Sequence, residues 1–177
     1  IKKFMEQKIT TPATKGIVIS LILIILSMVS YFMDLTQNKA MQYSGYIIFI
    51  AAIIWAVYSY GQQVNHNSTF GNYFAHGFKV AAIVTVLMIV FTVIILLVFP
   101  YIKEKGIDAA RKSMESKGNM SSDQINQAIG FTQKFFMAFV IGGALVFYLF
   151  FGAIASLIGA GVTKRNPLSD HEINQIS

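Results

Sequence analysis

Residues 80–102 read VAAIVTVLMIVFTVIILLVFPYI, 23 positions from Val80 to Ile102 with no charged side chain and a single proline, Pro100, near the end. A hydrocarbon layer about 30 Å thick is crossed by roughly 20 helical residues, so this stretch spans a membrane unaided. Three more runs lack any Asp, Glu, Lys or Arg: residues 16–33, 43–60 and 135–162. All 14 basic and all 8 acidic residues therefore lie outside the four runs. None of the runs alternates apolar and polar positions as a membrane β-barrel strand does, and in lipid the backbone must satisfy its own hydrogen bonds. The expected fold is all-α: a four-helix transmembrane bundle, with spans at about 16–34, 42–60, 79–102 and 135–162, forming a single membrane domain over residues 1–177.

The remaining composition agrees with that frame. Of the 177 residues 55% are apolar and 12% charged, and the mean hydropathy of +0.59 excludes both a soluble enzyme domain and an intrinsically disordered chain. There is no Cys, hence no disulfide, thiolate metal site or cysteine nucleophile. The net charge of +6 comes from basic residues beside the spans, where anionic lipid and the setting of topology account for them, so no nucleic-acid partner is expected. Lys2, Lys3, Lys8 and Lys15 precede the first helix and only Lys39 follows it before the second. That bias favours cytoplasmic termini, although it narrows if Met5 is the natural start.

Between the second and third runs lies a polar turn (Gln62, Gln63, Asn65, His66, Asn67, Ser68), after which Phe70, Tyr73, Phe74 and Phe78 fall on one helical stripe and Lys79 follows. This reads as a short interfacial helix over about 69–78. Its aromatic face either anchors the start of the third span or forms a face for a lipid or partner, with Lys79 near a phosphate headgroup. Residues 103–134 form the only large extramembrane piece, a helical hairpin expected on the periplasmic side. Ile107, Ala110 and Met114 share a stripe, Gly118 supplies a helix stop, and Ser121 with Gln124 makes a capping box followed by Ile125, Ala128 and Ile129. An uninterrupted helix from Ser122 to Val162 would be about 60 Å long and so project from the membrane, with Gly130, Gly142 and Gly143 as bend points.

Catalytic signals are lacking. No ionisable residue falls within the four runs, which disfavours an ion-coupled transporter. His66, His76 and His171 match no metal-ligand spacing, and neither a nucleophile elbow nor a phosphate-binding loop is present. Neither a metal nor another cofactor is expected. Ser27, Ser30, Thr85, Thr92 and Ser156 are read as packing groups that bond back to their own backbone or across to a neighbouring helix. Gly152, Ser156 and Ala160 recur every four residues beside Gly159, a small-residue seam for close helix packing within one chain, in a homodimer or against a partner.

Several of these segments together carry a resemblance. Phe70-Gly71-x-x-Phe74-x-x-Gly77-Phe78-Lys79, Pro100-Tyr101, the Met-Ser-Ser-Asp-Gln-Ile start at Met120, and Ser156-Leu-Ile-Gly-Ala-x-x-Thr-Lys164 resemble domain-of-unknown-function family 4199. The resemblance implies a small four-span protein of the bacterial inner membrane, chiefly of Bacteroidota, with no transferable catalytic residue or ligand. Members encoded near a glycosyltransferase acting on a polyprenyl-phosphate carrier point to envelope glycan or lipid metabolism. The expectation is a non-enzymatic accessory or scaffold subunit that binds another membrane protein. The alternative is a protein that binds or facilitates a lipid or a polyprenyl-linked sugar.

Overall fold

The computed structural model describes residues 9–33, 35 and 38–166; Met5 and Asp34 lie outside them. Five helices follow one another: α1 (Pro12–Phe32), α2 (Lys39–Gln63), α3 (Phe70–Val98), α4 (Tyr101–Lys117) and α5 (Ser122–Val162). The described residues hold no strand, and α1, α2, α3 and α5 are long and apolar enough to cross a membrane. The chain divides into two compact units. One holds α1, α2, α3 up to Leu87 and α5 from Phe147; the other holds residues Met88–Val146.

In the first unit the usual polarity of a protein interior is relaxed, because lipid competes with the core for large apolar side chains. Leu21, Ile22, Ile25, Ile47 and Val86 are exposed, while small and hydroxyl-bearing residues such as Ser20, Ala81, Thr85 and Ser156 share the interior with Phe49, Ile53, Val57 and Tyr73. α1 starts at the Thr11 cap, whose side chain accepts from the Thr14 amide at 3.2 Å, with Pro12 in the first turn where its missing N–H costs nothing. Its buried face is Lys15, Gly16, Ile19, Ser20 and Leu23. Gly16 brings α1 against α3: a Cβ there would stand 2.7 Å from a methyl of Ile83. Buried hydroxyls bond back one turn, Ser20 to Gly16 O (2.8 Å), Thr85 to Ala81 O (2.8 Å) and Ser156 to Gly152 O (2.6 Å).

The second unit contains the hairpin. Gly118 adopts φ +65°, the left-handed stop, and the box closes reciprocally: the Ser121 amide donates to Gln124 Oε1 (2.8 Å) and the Gln124 amide to Ser121 Oγ (3.3 Å). Ile107, Ile125 and Ile129 form its core, flanked by Ala110, Met114 and Phe136, and Arg111 reaches Asn126 Oδ1 at 2.9 Å.

Three local expectations are corrected. Residues 70–78 are not a separate interfacial helix but the opening turns of α3, since nothing between Phe78 and Val80 interrupts the ladder. Pro100, which has no amide to donate, separates α3 from α4, so the hairpin arm begins at Tyr101. The bend in α5 falls at Phe135 (φ −108°, ψ 16°) and not at a glycine. A Cβ on Gly130, Gly142 or Gly143 would meet nothing within 4 Å, so no neighbour levers the helix there; Phe136, next to the bend, is held against Gly106 and under the Lys103 ammonium at 5.7 Å.

Candidate functional site

The polar end of the first unit is assembled from the start of α1, the end of α2, the turn 64–69, the start of α3 and the segment Thr163–Asn166. The turn is tight. Asn65 (φ 51°) and His66 (φ 62°) both take left-handed backbone, unfavourable for a His by about 1 kcal/mol or more. Hydrogen bonds hold it: the His66 amide to Gly61 O (2.8 Å), the Asn166 amide to His66 O (3.1 Å) and Asn166 Nδ2 to Asn65 O (3.2 Å). His66 Nδ1 and the Tyr73 hydroxyl meet Lys164 O at 3.1 and 3.4 Å. His66 is thus engaged in tying the chain after α5 to the α2–α3 turn.

The predicted aromatic stripe separates into two faces. Tyr73 is fully buried with Val57 and Ala160, and its neighbours on that face are His76, Gly77 and Val80. Phe74 also packs against that cluster, half-buried, and stacks on the half-buried Phe78 at 5.8 Å, while Phe70 is exposed beneath the Arg165 guanidinium at 5.8 Å. The inward face is 73/76/77/80 because Gly77 admits Val57 and Ser156 at contact distance, a fit Phe74 or Phe78 would not allow. Tyr73 therefore belongs to the core and not to a lipid or partner face. The small-residue seam is occupied within the chain: Gly152 meets Ala81 and Phe49, Gly159 meets Val57, Ser156 meets Gly77, and Ala160 joins the Tyr73 cluster.

Beside these residues lies a cavity of about 420 Å³, walled by Thr10, Thr11 and Pro12 ahead of and within α1, Tyr60 of α2, and Asn72, His76 and Lys79 of α3. The α1 wall is fastened by a reciprocal pair: the Thr10 amide donates to Gln63 Oε1 (2.8 Å) and Gln63 Nε2 to Thr10 Oγ1 (2.6 Å). His76 lies flat on the Tyr60 ring, centroids 4.1 Å apart and planes 6° from parallel. It is only 6% exposed, and its Nε2 is buried without a hydrogen-bond partner among the described residues. Such an orphan costs about 1–3 kcal/mol.

Two cations lie at this end, Lys79 among the cavity walls and Lys15 in the buried face of α1. Lys15 is 4% exposed, and its Nζ donates to Ala56 O at 2.9 Å. An ammonium carries three donors, and the described residues supply this one acceptor. With Lys164 and Arg165, four cations gather at this end. Among the described residues of the unit there is no Asp or Glu at all. Nor do three His, Cys, Asp or Glu side chains gather anywhere among the described residues. What the arrangement offers is a partly enclosed recess with the exposed Lys79 among its walls, and two buried nitrogens, Lys15 Nζ and His76 Nε2, whose bonding capacity is unmet among the described residues.

The family described as "Protein of unknown function (DUF4199)" matches residues 14–165. The chain belongs to the DUF4199 family. No curated protein and no solved structure matches it. The portion shared with DUF4199 contains Lys15, Tyr60, His76, Lys79 and Arg165, hence the α2 and α3 walls of the recess lie within the family's own span and the Thr10–Pro12 wall lies just ahead of it. With four helices able to cross a bilayer, this DUF4199 protein is an integral membrane protein.

Sequence reasoning passed over Lys15 by treating a charge as the border of a span. The corrective signal was present: Thr11-Pro12 is a cap followed by an N1 proline, which puts Lys15 in the first helical turns and on the face of Gly16, Ile19 and Ser20.

Proposed function

We propose that the protein is a non-catalytic membrane protein that holds an anionic lipid headgroup in the recess bounded by Thr10, Tyr60, His76 and Lys79. The observation that carries this reading is the charge balance: four cations, one of them buried, and no carboxylate among the described residues of the unit. A buried charge in a membrane protein needs a partner. A headgroup supplies one from outside the chain, and Ile9, Pro12 and Ala75 add apolar lining to the recess. The membrane we assign is the bacterial inner membrane, with this cationic end at its cytoplasmic face, where anionic lipid and basic residues meet.

The test is native mass spectrometry of protein extracted in nanodiscs from its host. The expected result is an anionic lipid that stays bound to the wild type and is lost from the Lys15→Met, Lys79→Ala double variant. Lipid retained only in bulk proportion by both proteins would sink the reading. An accessory-subunit role keeps one specific observation in its favour, the stapled hairpin with its own Ile107, Ile125 and Ile129 core. A stoichiometric protein partner lost on disrupting that core would establish it.

A further inference from the structure

A second recess, of about 460 Å³, lies at the same polar end of the first unit, where the α2–α3 turn, the start of α3 and the segment after α5 come together. Its polar lining is Asn67, Ser68, Thr69, Asn72, Asn166 and Arg165. The frame that carries them is fastened. The Asn166 backbone amide donates to His66 O (3.1 Å), Asn166 Nδ2 to Asn65 O (3.2 Å), and the Asn72 backbone amide to Thr69 Oγ1 (3.2 Å). The side chains of Asn67, Ser68 and Asn72, by contrast, make no hydrogen bond among the described residues. Asn72 also lines the cavity that contains Lys79, so the two recesses share a wall.

From this lining we infer that the second recess holds a polyhydroxyl group, a polyol or a sugar, and that across the shared Asn72 wall the two recesses take the two parts of one headgroup, a polyol esterified to phosphate. The inference rests on the anionic-headgroup reading above and names what the phosphate carries. The choice follows from what each class of ligand can bond. The oxygens of a phosphate or carboxylate only accept, so a wall suited to an anion consists of donors, whereas a hydroxyl both donates and accepts. The lining is of the mixed kind: the Asn67 and Asn72 side chains each present an NH2 edge and a carbonyl oxygen, and the Ser68 hydroxyl presents both roles in one atom. Asn166, with Nδ2 given to Asn65 O, keeps its Oδ1, an acceptor that only a donor can meet. An anion would face these oxygens with nothing to give them. A polyol also carries C–H surface, and the Phe70 ring, 37% exposed with Arg165 against it, supplies apolar surface in the same recess. The volume lies within the roughly 300–1,000 Å³ of small-molecule sites.

A lipid headgroup and a free polyol share this chemistry, and the experiment separates them. Purified full-length protein is offered phosphatidylinositol, phosphatidylserine or phosphatidylcholine as a minority lipid in nanodiscs, with binding read by native mass spectrometry. The first two carry the same net charge near neutral pH, and only phosphatidylinositol carries a polyol. A separate arm adds myo-inositol as a soluble competitor. Phosphatidylinositol is expected to bind about tenfold more tightly than phosphatidylserine, the effect of one or two additional hydrogen bonds. The Asn67→Ala, Ser68→Ala double variant removes side chains that make no hydrogen bond among the described residues, and should bring phosphatidylinositol down to the level of phosphatidylserine. Gln62→Ala, at an exposed position that lines neither recess, should leave the preference unchanged. Displacement of phosphatidylinositol by myo-inositol supports the polyol site with a soluble ligand; resistance to displacement supports it with a lipid ligand. A preference that survives the double variant overturns the site, since the polyol is then held elsewhere. Equal binding of phosphatidylinositol and phosphatidylserine, both above phosphatidylcholine, also overturns it and leaves the anionic-headgroup reading standing. Binding of neither above phosphatidylcholine overturns both.

Discussion

Replacing His76 by Phe separates what this side chain does for stability from what it does for binding. In the ligand-free protein the imidazole contributes a ring stacked on Tyr60 and also a buried Nε2 without a partner among the described residues. Phe keeps the stacking and removes the orphan, whose cost is about 1–3 kcal/mol. The slightly larger ring costs something against tight packing, but His76 borders a cavity of about 420 Å³ into which the extra atom can be accommodated. The net expectation is a gain of about 1 kcal/mol, or roughly 2–4 °C in Tm for a chain of this size. The assay is thermal unfolding of delipidated protein in detergent, compared with lipid retention by native mass spectrometry. His76→Phe should be the more stable protein when stripped of lipid and the weaker binder when lipid is supplied. A loss of stability of more than about 1 kcal/mol would refute the reasoning, since it would mean that Nε2 is satisfied in the free protein. So would undiminished retention of the lipid, which would mean that the imidazole does not touch it.

Other positions test the packing. Gly77→Ala should destabilise the protein by about 1–3 kcal/mol, because its Cβ would fall at 2.7 Å from Ser156 Oγ in a helix contact with no slack, whereas Gly130→Ala, with nothing within 4 Å, should be neutral or stabilise by up to about 1 kcal/mol; thermal melts of the two variants decide it. Ser121→Ala removes the acceptor for the Gln124 amide and should cost about 1 kcal/mol, read as faster amide exchange in residues 122–126 with other regions unaffected. Ile129→Ala should cost about 2–5 kcal/mol within the hairpin, seen as proteolytic opening of residues 101–134, while lipid retention at the His76 recess stays at the wild-type level.

The fold was legible because four uncharged runs leave the chain only one way to satisfy its backbone in lipid, and because capping signals are local: Gly118, Ser121 and Gln124 do in the structure what their spacing implies. The site was less legible because it is decided by distant partners. The choice between a 70/74/78 face and a 73/76/77/80 face is made by Val57 of α2 and Ser156 of α5, which fit against Gly77, and no window along α3 contains that information. The bend at Phe135 likewise falls where no glycine or proline marks it in the sequence. Lys15 is a different case: a charge next to an apolar run reads as a boundary, yet the Thr11-Pro12 cap carries it into the helix and the Ala56 carbonyl receives its ammonium.

The energetic cost and the proposed function of the polar end are linked. A buried ammonium with one acceptor among the described residues and an imidazole nitrogen with none are liabilities in the free protein, each of the order of a few kcal/mol or less. A ligand present at a hundred times its Kd stabilises the state that binds it by about 2.7 kcal/mol, comparable to one such liability. At a membrane surface a lipid headgroup is always at high local concentration, so even modest intrinsic affinity reaches that regime. The lipid then completes the local structure as well as occupying it: Lys79 gains a counterion among the recess walls, and the Thr10–Gln63 clasp a filled cavity to close against. On this argument the ligand-free protein should be most fragile at this one end, with Thr10–Lys15 and Tyr60–Lys79 losing amide protection on delipidation while the Ile107–Ile129 hairpin core keeps it. Hydrogen exchange with and without lipid measures this directly, and uniform loss of protection across both regions would show that lipid acts on the protein as a solvent and not as a bound ligand.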